Sequence, residues 1–205
     1  MNNINEKVLR YFDAEVRAKD DVGMMVTGYA LKFEKPTQIG SDKWGWIEKI
    51  SRKAMETAKL NDVILSFNHS FSSVLSRTTN KSLVLSVDDV GLKFEAEIVD
   101  TSYGKDVFKL IKEGLINRMS FYVEVLKSEW VIDEKGKELD QRTITSFGRF
   151  YDIAAVTFPA YDDTIISARS DLVVIDADVR THFEKREYER QIVELEKITG
   201  GTHEI

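Results

Sequence analysis

The chain has 205 residues, with 29 Lys and Arg against 35 Asp and Glu, a formal net charge of −6 and a hydrophobic fraction of 42%. These values suit one domain of ordinary size with a buried core. The acidic balance without a basic stripe argues against a dedicated nucleic-acid binder. The absence of cysteine excludes disulfides, thiolate metal sites and cysteine nucleophiles.

The N-terminal ten residues mix Asn, Glu and Lys with isolated apolar side chains, and so lack the apolar core of an export signal. Apolar runs such as residues 63–65 end after a few positions, far short of the roughly 20 that span a bilayer. We therefore expect neither export nor a membrane-spanning segment.

The first hundred residues predict four strands and one helix. Apolar and polar residues alternate, which is the period of a half-buried strand. The clearest case has Leu92, Phe94, Ala96 and Ile98 on one face and Lys and Glu on the other. The predicted strands cover residues 23–33, 63–67, 83–87 and 92–98, and a helix is predicted for residues 46–60.

The next segment predicts a helix and then further strands. Thr101 is placed to begin the helix, Val107 and Ile111 recur at helical spacing, and Gly114 is placed to end it. Strands are predicted for residues 120–126 and 149–158. Between them, residues 129–132 and 142–147 flank a polar turn with Gly136, which predicts a hairpin.

The C-terminal segment changes character. Nearly every third residue is charged in 180–197, while Tyr188, Ile192 and Leu195 share one face before a Gly-Gly end. This pattern predicts a solvated helical arm that lies at the edge of the domain or reaches a partner. The sequence thus predicts an α+β, β-rich body with a few helices in residues 1–172, followed by a charged helical arm in residues 173–205.

Three positions could carry chemistry, and the first two are His69 and Ser120. His69 follows a predicted strand and suits a general base, although it could instead cap a turn through one ring nitrogen. Ser120 shares a strand face with Tyr122, and could be a nucleophile if a histidine lies within reach. A plain surface serine is the alternative, and the pattern does not favour Ser120 over the serines near His69, namely Ser66, Ser70, Ser72, Ser73 and Ser76.

Asp152 is the third position, a lone acid within an apolar strand. A carboxylate there must be paired or hydrogen-bonded. It could orient a histidine, or pair with Arg149 or Arg142. A metal-dependent hydrolase is a more distant alternative, since one histidine with Asp62, Asp88 or Asp89 is a poor zinc site.

Several short sequence motifs favour the catalytic interpretation of these three positions. In chain order they are Gly28-Tyr29-Ala30, Asn68-His69, Leu75-Ser76-Arg77-Thr78, Asp89, Gly91-Leu92, Phe94, Asp100-Thr101, Gly114, Met119-Ser120-Phe121 and Val156-Thr157 with Pro159-Ala160-Tyr161. With this order and spacing, roughly residues 22–170 resemble the prohead proteases of tailed phages, capsid-maturation serine peptidases. Their fold is similar to that of herpesvirus assemblin. The resemblance implies an assemblin-like β-barrel body.

The same resemblance implies roles for individual residues. His69 matches the family's catalytic histidine, Ser120 its nucleophile, and Asp152 the acid before the Val-Thr-x-Pro-Ala block. Ala160 and Tyr161 would contribute to the oxyanion site, and Tyr122 to substrate binding. Two positions depart from the family pattern: Ser70 where relatives often have an acid, and Tyr122 where they often have a small residue.

The implied function is a serine endopeptidase without cofactor or metal that cleaves the major capsid protein, the scaffold, or both. It would act through an acyl-enzyme in the host cytoplasm, inside the assembling prohead. We expect self-association, and neither a nucleic-acid nor a membrane partner. A non-catalytic internal scaffold that binds capsid subunits through the charged arm is the alternative.

Overall fold

Strands make up most of the described structure. The computed structural model describes residues 6–12, 16–19, 23–40, 45–133 and 138–157, all within one unit, Met1–Val173. The strands are β1 (Glu6–Phe12), β2 (Val16–Lys19), β3 (Met25–Lys32), β4 (Thr37–Ile39), β5 (Trp46–Ile50), β6 (Ile64–Phe67), β7 (Ser70–Arg77), β8 (Leu83–Val87), β9 (Gly91–Glu97), β10 (Arg118–Val131) and β11 (Asp140–Val156). A 3₁₀ helix, Arg52–Thr57, follows β5, and an α-helix, α1 (Ser102–Lys112), follows β9.

The β-rich class is confirmed for this part of the chain. The C-terminal arm predicted for residues 173–205 lies outside the described residues. Its helical character and the domain boundary at residue 172 therefore stay predictions.

The described strands form two sheets that both contribute to one core. The larger has seven strands, in the order β1-β10-β11-β5-β4, with β6 also pairing with β11 and β7 with β6. The smaller has four strands, in the order β2-β3-β9-β8. Buried apolar side chains from both sheets and from α1 pack together, among them Val26, Phe94, Phe121, Phe150 and Val107.

Strand β11 organises the larger sheet. On one side it pairs antiparallel with β10 along most of its 17 residues. On the other side its first half pairs in parallel with β5, and residues 152–155 pair in parallel with β6. Residues 152–156 of β11 are buried on both faces, as expected for a stretch with neighbours on either side.

The separate short strands predicted for residues 120–158 are in fact one long hairpin. Residues 120–126 and 129–132 belong to β10, and residues 142–147 and 149–156 belong to β11. The predicted turn is consistent with this pairing, although residues 134–137 lie outside the described ones. Register shifts between Tyr122 and Ser128 interrupt the ladder, which explains why the alternating pattern breaks into pieces.

The closed β-barrel implied by the resemblance is not formed by the described strands. A barrel needs a ladder that returns to its first strand with a fixed stagger. Here the two sheets meet through isolated backbone hydrogen bonds instead. Val99 N donates to Leu75 O and Glu34 N donates to Ile50 O, each at 2.9 Å. The body is therefore a pair of packed sheets.

One predicted helix is confirmed and the other is wrong. Helix α1 begins after Thr101, whose Oγ1 accepts a hydrogen bond from Gly104 N, and Gly114 follows it with φ +73°. The helix predicted for residues 46–60 is strand β5 followed by the 3₁₀ helix. The side chains of β5 are buried alternately, and its parallel ladder with β11 outweighs the helical spacing. No helix within the described residues is long and apolar enough to cross a bilayer.

The predicted strands β3, β6, β8 and β9 are confirmed, whereas β1, β2, β4 and β7 were not predicted. β2 and β4 are short, with four and three residues. β7 reads SFSSVLSR, in which serines occupy the positions that would otherwise show alternation. Polar side chains in a paired strand leave no clear period in the sequence.

A buried ion cluster joins β1 to β5. Glu48 is fully buried, and Arg10 Nε donates to its Oε1 at 2.5 Å. Its Oε2 accepts from Trp46 Nε1 at 3.2 Å and from Arg142 Nη1 at 3.4 Å. Burial raises the pKa of Glu48, but the charges of Arg10 and Arg142 and the hydrogen bonds from Arg10 and Trp46 together hold that pKa below its usual value.

Replacing this carboxylate should destabilise the protein in a pH-dependent way. We expect Glu48→Gln to lower the free energy of unfolding at neutral pH by about 3–5 kcal/mol, because it leaves buried arginine charge uncompensated. The folded-state pKa lies below the ordinary 4.5, so the stabilisation is complete above that pH and is lost as the pH falls through the lowered pKa. Urea unfolding at several pH values measures this difference.

Glu34→Gln is the matched control, because Glu34 forms an exposed pair with Lys49 at 3.6 Å. Little change in stability is expected there. A Glu48→Gln effect that stays constant into acid would contradict the assigned role of this carboxylate.

Candidate active site

Three separate elements carry the predicted site residues. Ser120 lies on β10, Asp152 on β11, and His69 in the turn between β6 and β7. Ser120 is paired with Ala154 across the β10–β11 ladder, two residues from Asp152. Residues two apart on a strand point to the same face. Because β6 also pairs with this stretch of β11, the turn after β6 reaches the same region.

The turn that carries His69 has an unusual backbone. Phe67 and Ser70 pair across the β6–β7 hairpin, so Asn68 and His69 form its two-residue loop. Their φ angles are +52° and +57°. Hairpin turns with positive φ at both positions match the twist of the strands, but a non-glycine residue pays about 1–2 kcal/mol to adopt them. His69 is thus held in a conformation that the surrounding contacts must impose.

Asn68 fastens this turn to the end of β11. Its Nδ2 donates to Thr157 Oγ1 at 3.2 Å, and Thr157 N donates to its Oδ1 at 3.1 Å. Its own backbone N donates to Ala155 O at 3.0 Å. Asparagine also tolerates positive φ better than most residues. The residue before His69 therefore both permits the turn and anchors it.

The structure brings His69, Ser120 and Asp152 together. His69 Nε2 lies 2.5 Å from Ser120 Oγ, and His69 Nδ1 lies 2.8 Å from Asp152 Oδ1. Since an ionised carboxylate only accepts hydrogen bonds, Nδ1 carries a proton in this contact. With its proton on Nδ1, an uncharged ring presents the lone pair of Nε2 to the Ser120 hydroxyl. In this arrangement the imidazole can take a proton from the hydroxyl while the carboxylate orients the ring.

Asp152 does not make the arginine pairs that were its alternative. It is fully buried, and its Oδ2 accepts a hydrogen bond from Ser66 Oγ at 2.5 Å. Arg142 donates to Glu48, and Arg149 lies 3.6 Å from Asp62. Both oxygens of the carboxylate are thereby directed to polar side chains of the β6–β7 hairpin.

Ser120 is held by the core on one side of β10. Phe121, Val123 and Val125 are fully buried, and Phe121 packs against Phe147 and Phe150 with ring centroids 6.1 and 6.0 Å apart. These side chains form the inward face of the strand. The hydroxyl therefore projects from a stretch of backbone with little freedom to move.

Ser120 is itself fully buried, and β1 pairs with β10 beside it. The hydroxyl oxygen lies 2.8 Å from the carbonyl oxygen of Arg10, in addition to its contact with His69. One hydroxyl has one proton, so the Arg10 carbonyl and His69 Nε2 compete for it. β1 thus lies beside the hydroxyl and offers its proton a second acceptor.

The remaining predicted site residues are placed differently. Tyr122 is half-buried and packs on Tyr151, with ring centroids 4.9 Å apart. Ala160 and Tyr161 lie outside the described residues. The acids of the metal alternative have other partners: Asp62 accepts from Arg77, Asp88 accepts from the Tyr29 hydroxyl, and Asp89 pairs with Arg52. No set of three or more metal-ligating side chains occurs in the part of the chain that the structure describes.

Sequence reasoning missed the contributions of Ser66, Thr157 and Arg10. Ser66 was only one of several serines near His69, and no spacing distinguished it. Asn68 beside His69 was a usable signal, because an asparagine between two strand patterns favours a positive-φ turn. Arg10 acts through its main-chain carbonyl, which no residue pattern reveals.

A hydroxyl, an imidazole and a buried carboxylate in this order are the chemical groups of serine peptidases. The model of the Caudovirus prohead serine protease family matches residues 12–174, which is most of the chain. The chain therefore belongs to that family: it is a serine peptidase of phage capsid maturation, which works within the assembling capsid on capsid proteins. No curated protein and no solved structure matches this chain.

Substitutions of Asn68 should separate the effect of its hydrogen bonds with Thr157 from the effect of its positive φ angle. Asn68→Ala loses the hydrogen bonds with Thr157 and places alanine at positive φ, so we expect roughly 2 kcal/mol lower stability. Asn68→Gly loses the same hydrogen bonds but accepts the backbone conformation, and should cost less. Urea unfolding compares them. Equal losses would argue against backbone strain at this turn, and no loss in either would argue against the anchor.

Proposed function

We propose that this protein is a serine endopeptidase that cleaves the major capsid protein, the scaffold, or both, through an acyl-enzyme. The supporting observation is the continuous chain of contacts from Ser120 Oγ through His69 to Asp152, at 2.5 and 2.8 Å. Both distances lie within hydrogen-bond reach, which is the first requirement for a nucleophile and its base.

In the proposed first step, His69 Nε2 takes the hydroxyl proton as Ser120 Oγ attacks the carbonyl carbon of the scissile peptide bond. A tetrahedral intermediate forms, and its collapse breaks the C–N bond. The proton held by His69 passes to the leaving amine, so the new N-terminus departs neutral and the acyl group remains on Ser120. Water then attacks the ester by the same route, releasing the carboxylic acid and restoring the hydroxyl.

Asp152 is proposed to keep the proton on Nδ1 of His69 and to stabilise the imidazolium that forms during each step. Its burial strengthens this interaction, because charges interact more strongly in a low-dielectric interior. The developing oxyanion needs hydrogen-bond donors, often worth about 3 kcal/mol each. We propose that residues after Pro159, including Ala160 and Tyr161, supply them. Tyr122, on the same strand face as Ser120, is proposed to flank the substrate.

The wider setting follows from the family. We propose that the enzyme acts inside the prohead in the host cytoplasm, that it self-associates, and that the charged arm of residues 173–205 contacts capsid or scaffold protein. The substrate must reach a hydroxyl that is fully buried beside β1. We therefore propose that β1 separates from β10 before cleavage. All of β1 except its last residue lies before the family match, which begins at residue 12.

Labelling with a fluorophosphonate tests the proposed nucleophile. We expect one modified residue, Ser120, because the reagent traps a hydroxyl activated by a neighbouring base. His69→Ala should abolish the label, and Asp152→Asn should lower peptidase kcat by on the order of 10⁴. Peptide mapping by mass spectrometry identifies the site.

Ser70→Ala is the control, since it removes a nearby serine whose hydroxyl contacts Ser72 rather than His69. Its labelling should match that of the wild type. A label on another serine, or one that persists in Ser120→Ala, would refute the assignment.

Removing β1 tests the proposed access step. A variant without residues 1–12 should react with the fluorophosphonate at least about tenfold faster, because every 1.4 kcal/mol of opening cost corresponds to a factor of ten. Val8→Asp is the point-substitution equivalent, since it places a charge on the buried side of β1. Circular dichroism and the melting temperature establish that each variant is folded. Folded variants that react at the wild-type rate would show that β1 does not limit access.

A further inference from the structure

The carboxylate of Asp152 has two oxygens, and the proposed mechanism uses only one. Oδ1 faces His69 Nδ1, whereas Oδ2 lies 2.5 Å from Ser66 Oγ. Both Asp152 and Ser66 are fully buried. An ionised carboxylate in such a place needs hydrogen-bond donors for each oxygen, because solvent does not supply them.

The direction of this second contact is determined by chemistry. An ionised carboxylate has no proton to give, so the Ser66 hydroxyl is the donor and Oδ2 the acceptor. A hydrogen bond to a charged acceptor is roughly twice as strong as one between neutral groups. It holds Oδ2 on Ser66 while Oδ1 faces His69.

The fold places Ser66 for this contact. β6 runs parallel to β11, with Ile64 opposite Asp152 and Ser66 opposite Ala154, so Ser66 is a diagonal neighbour of Asp152. The β6–β7 ladder shifts register on both sides of Ser66. Such irregularities redirect individual side chains. The hairpin thus supplies both partners of the carboxylate, Ser66 from its first strand and His69 from its turn.

We propose that Ser66 is a positioning residue of the peptidase, whose hydroxyl sets the rotation of the Asp152 carboxylate so that Oδ1 meets His69 Nδ1. The terminal torsion of an aspartate is broad, and a second hydrogen bond narrows it. Ser66 acts through Asp152, and the hydroxyl of Ser120 contacts His69 and Arg10 rather than Ser66. This inference rests on the proposed roles of His69, Ser120 and Asp152.

Removal of the Ser66 hydroxyl should slow the chemical step of peptide cleavage and leave substrate binding almost unchanged. We expect Ser66→Ala to lower kcat roughly 10- to 100-fold, the scale of a small misplacement in an active site. KM should change little, because the lost interaction does not involve substrate. The assay uses a fluorogenic peptide that covers the cleavage site of the major capsid protein, located by mass spectrometry of the processed protein.

Ser76 offers a matched control. It is also a buried serine, it lies on the neighbouring strand β7, and its Oγ has no hydrogen-bond partner among the described residues. Ser76→Ala therefore removes the same group from a similar depth without disturbing Asp152, and its kcat should stay at the wild-type value. Ser66→Thr retains a hydroxyl and should recover most of the activity. A folded Ser66→Thr protein as slow as Ser66→Ala would count against the proposal.

A double-mutant cycle with Asp152→Ala distinguishes positioning from a general structural effect. If Ser66 acts through the carboxylate, Ser66→Ala should cause no further loss of residual kcat in the Asp152→Ala background. An equal fold-loss in both backgrounds, or no loss of kcat in Ser66→Ala alone, would overturn the role of Ser66. Full activity of Asp152→Ala would instead overturn the proposed mechanism, and this inference with it.

Discussion

A carboxylate buried inside a sheet is the constraint on which the site depends. Asp152 lies on β11 between β10 and β6, fully buried, and its two oxygens are satisfied by Ser66 and His69 of the β6–β7 hairpin. An uncompensated charge at this depth would cost several kcal/mol. β6 must therefore pair in parallel register with β11 for both oxygens of the carboxylate to find hydrogen-bond partners. Correct folding of this region and assembly of the site are the same event.

The burial of these residues also limits access to Ser120. His69 sits in a left-handed turn that is anchored by Asn68, and Ser120 is fully buried beside β1, whose Arg10 carbonyl offers its proton another acceptor. Glu48 binds the Arg10 side chain and so connects β1 to the far side of the sheet. The contacts that order these groups also leave Ser120 fully buried. The proposed opening of β1 would therefore control when a family member that works within an assembling capsid becomes active.

Much of the strand content could be predicted because alternation survives where one face of a strand is buried, as in β9. Alternation is lost where a strand is buried on both faces, or where polar side chains occupy its buried positions. The pattern broke β10 and β11 into shorter pieces, since shifts in register interrupt the period. The helix predicted for residues 46–60 was wrong because a parallel ladder with β11, absent from any local window, decides the conformation of β5. The closed barrel was expected only from the family resemblance, and the described strands pair into two sheets instead.

For the site, the sequence alone determined which residue types were present: one histidine after an asparagine, a serine before a buried aromatic face, and a lone acid in an apolar strand. It also placed them in short blocks that resemble one family. Only the tertiary structure decided that these residues meet, that Asp152 binds Ser66 and not an arginine, and that β1 lies beside the serine. The physical reason is that side-chain identity and local period are encoded along the chain. Hydrogen bonds between residues 51 to 110 positions apart are instead set by the register of strands that pair only in the folded molecule.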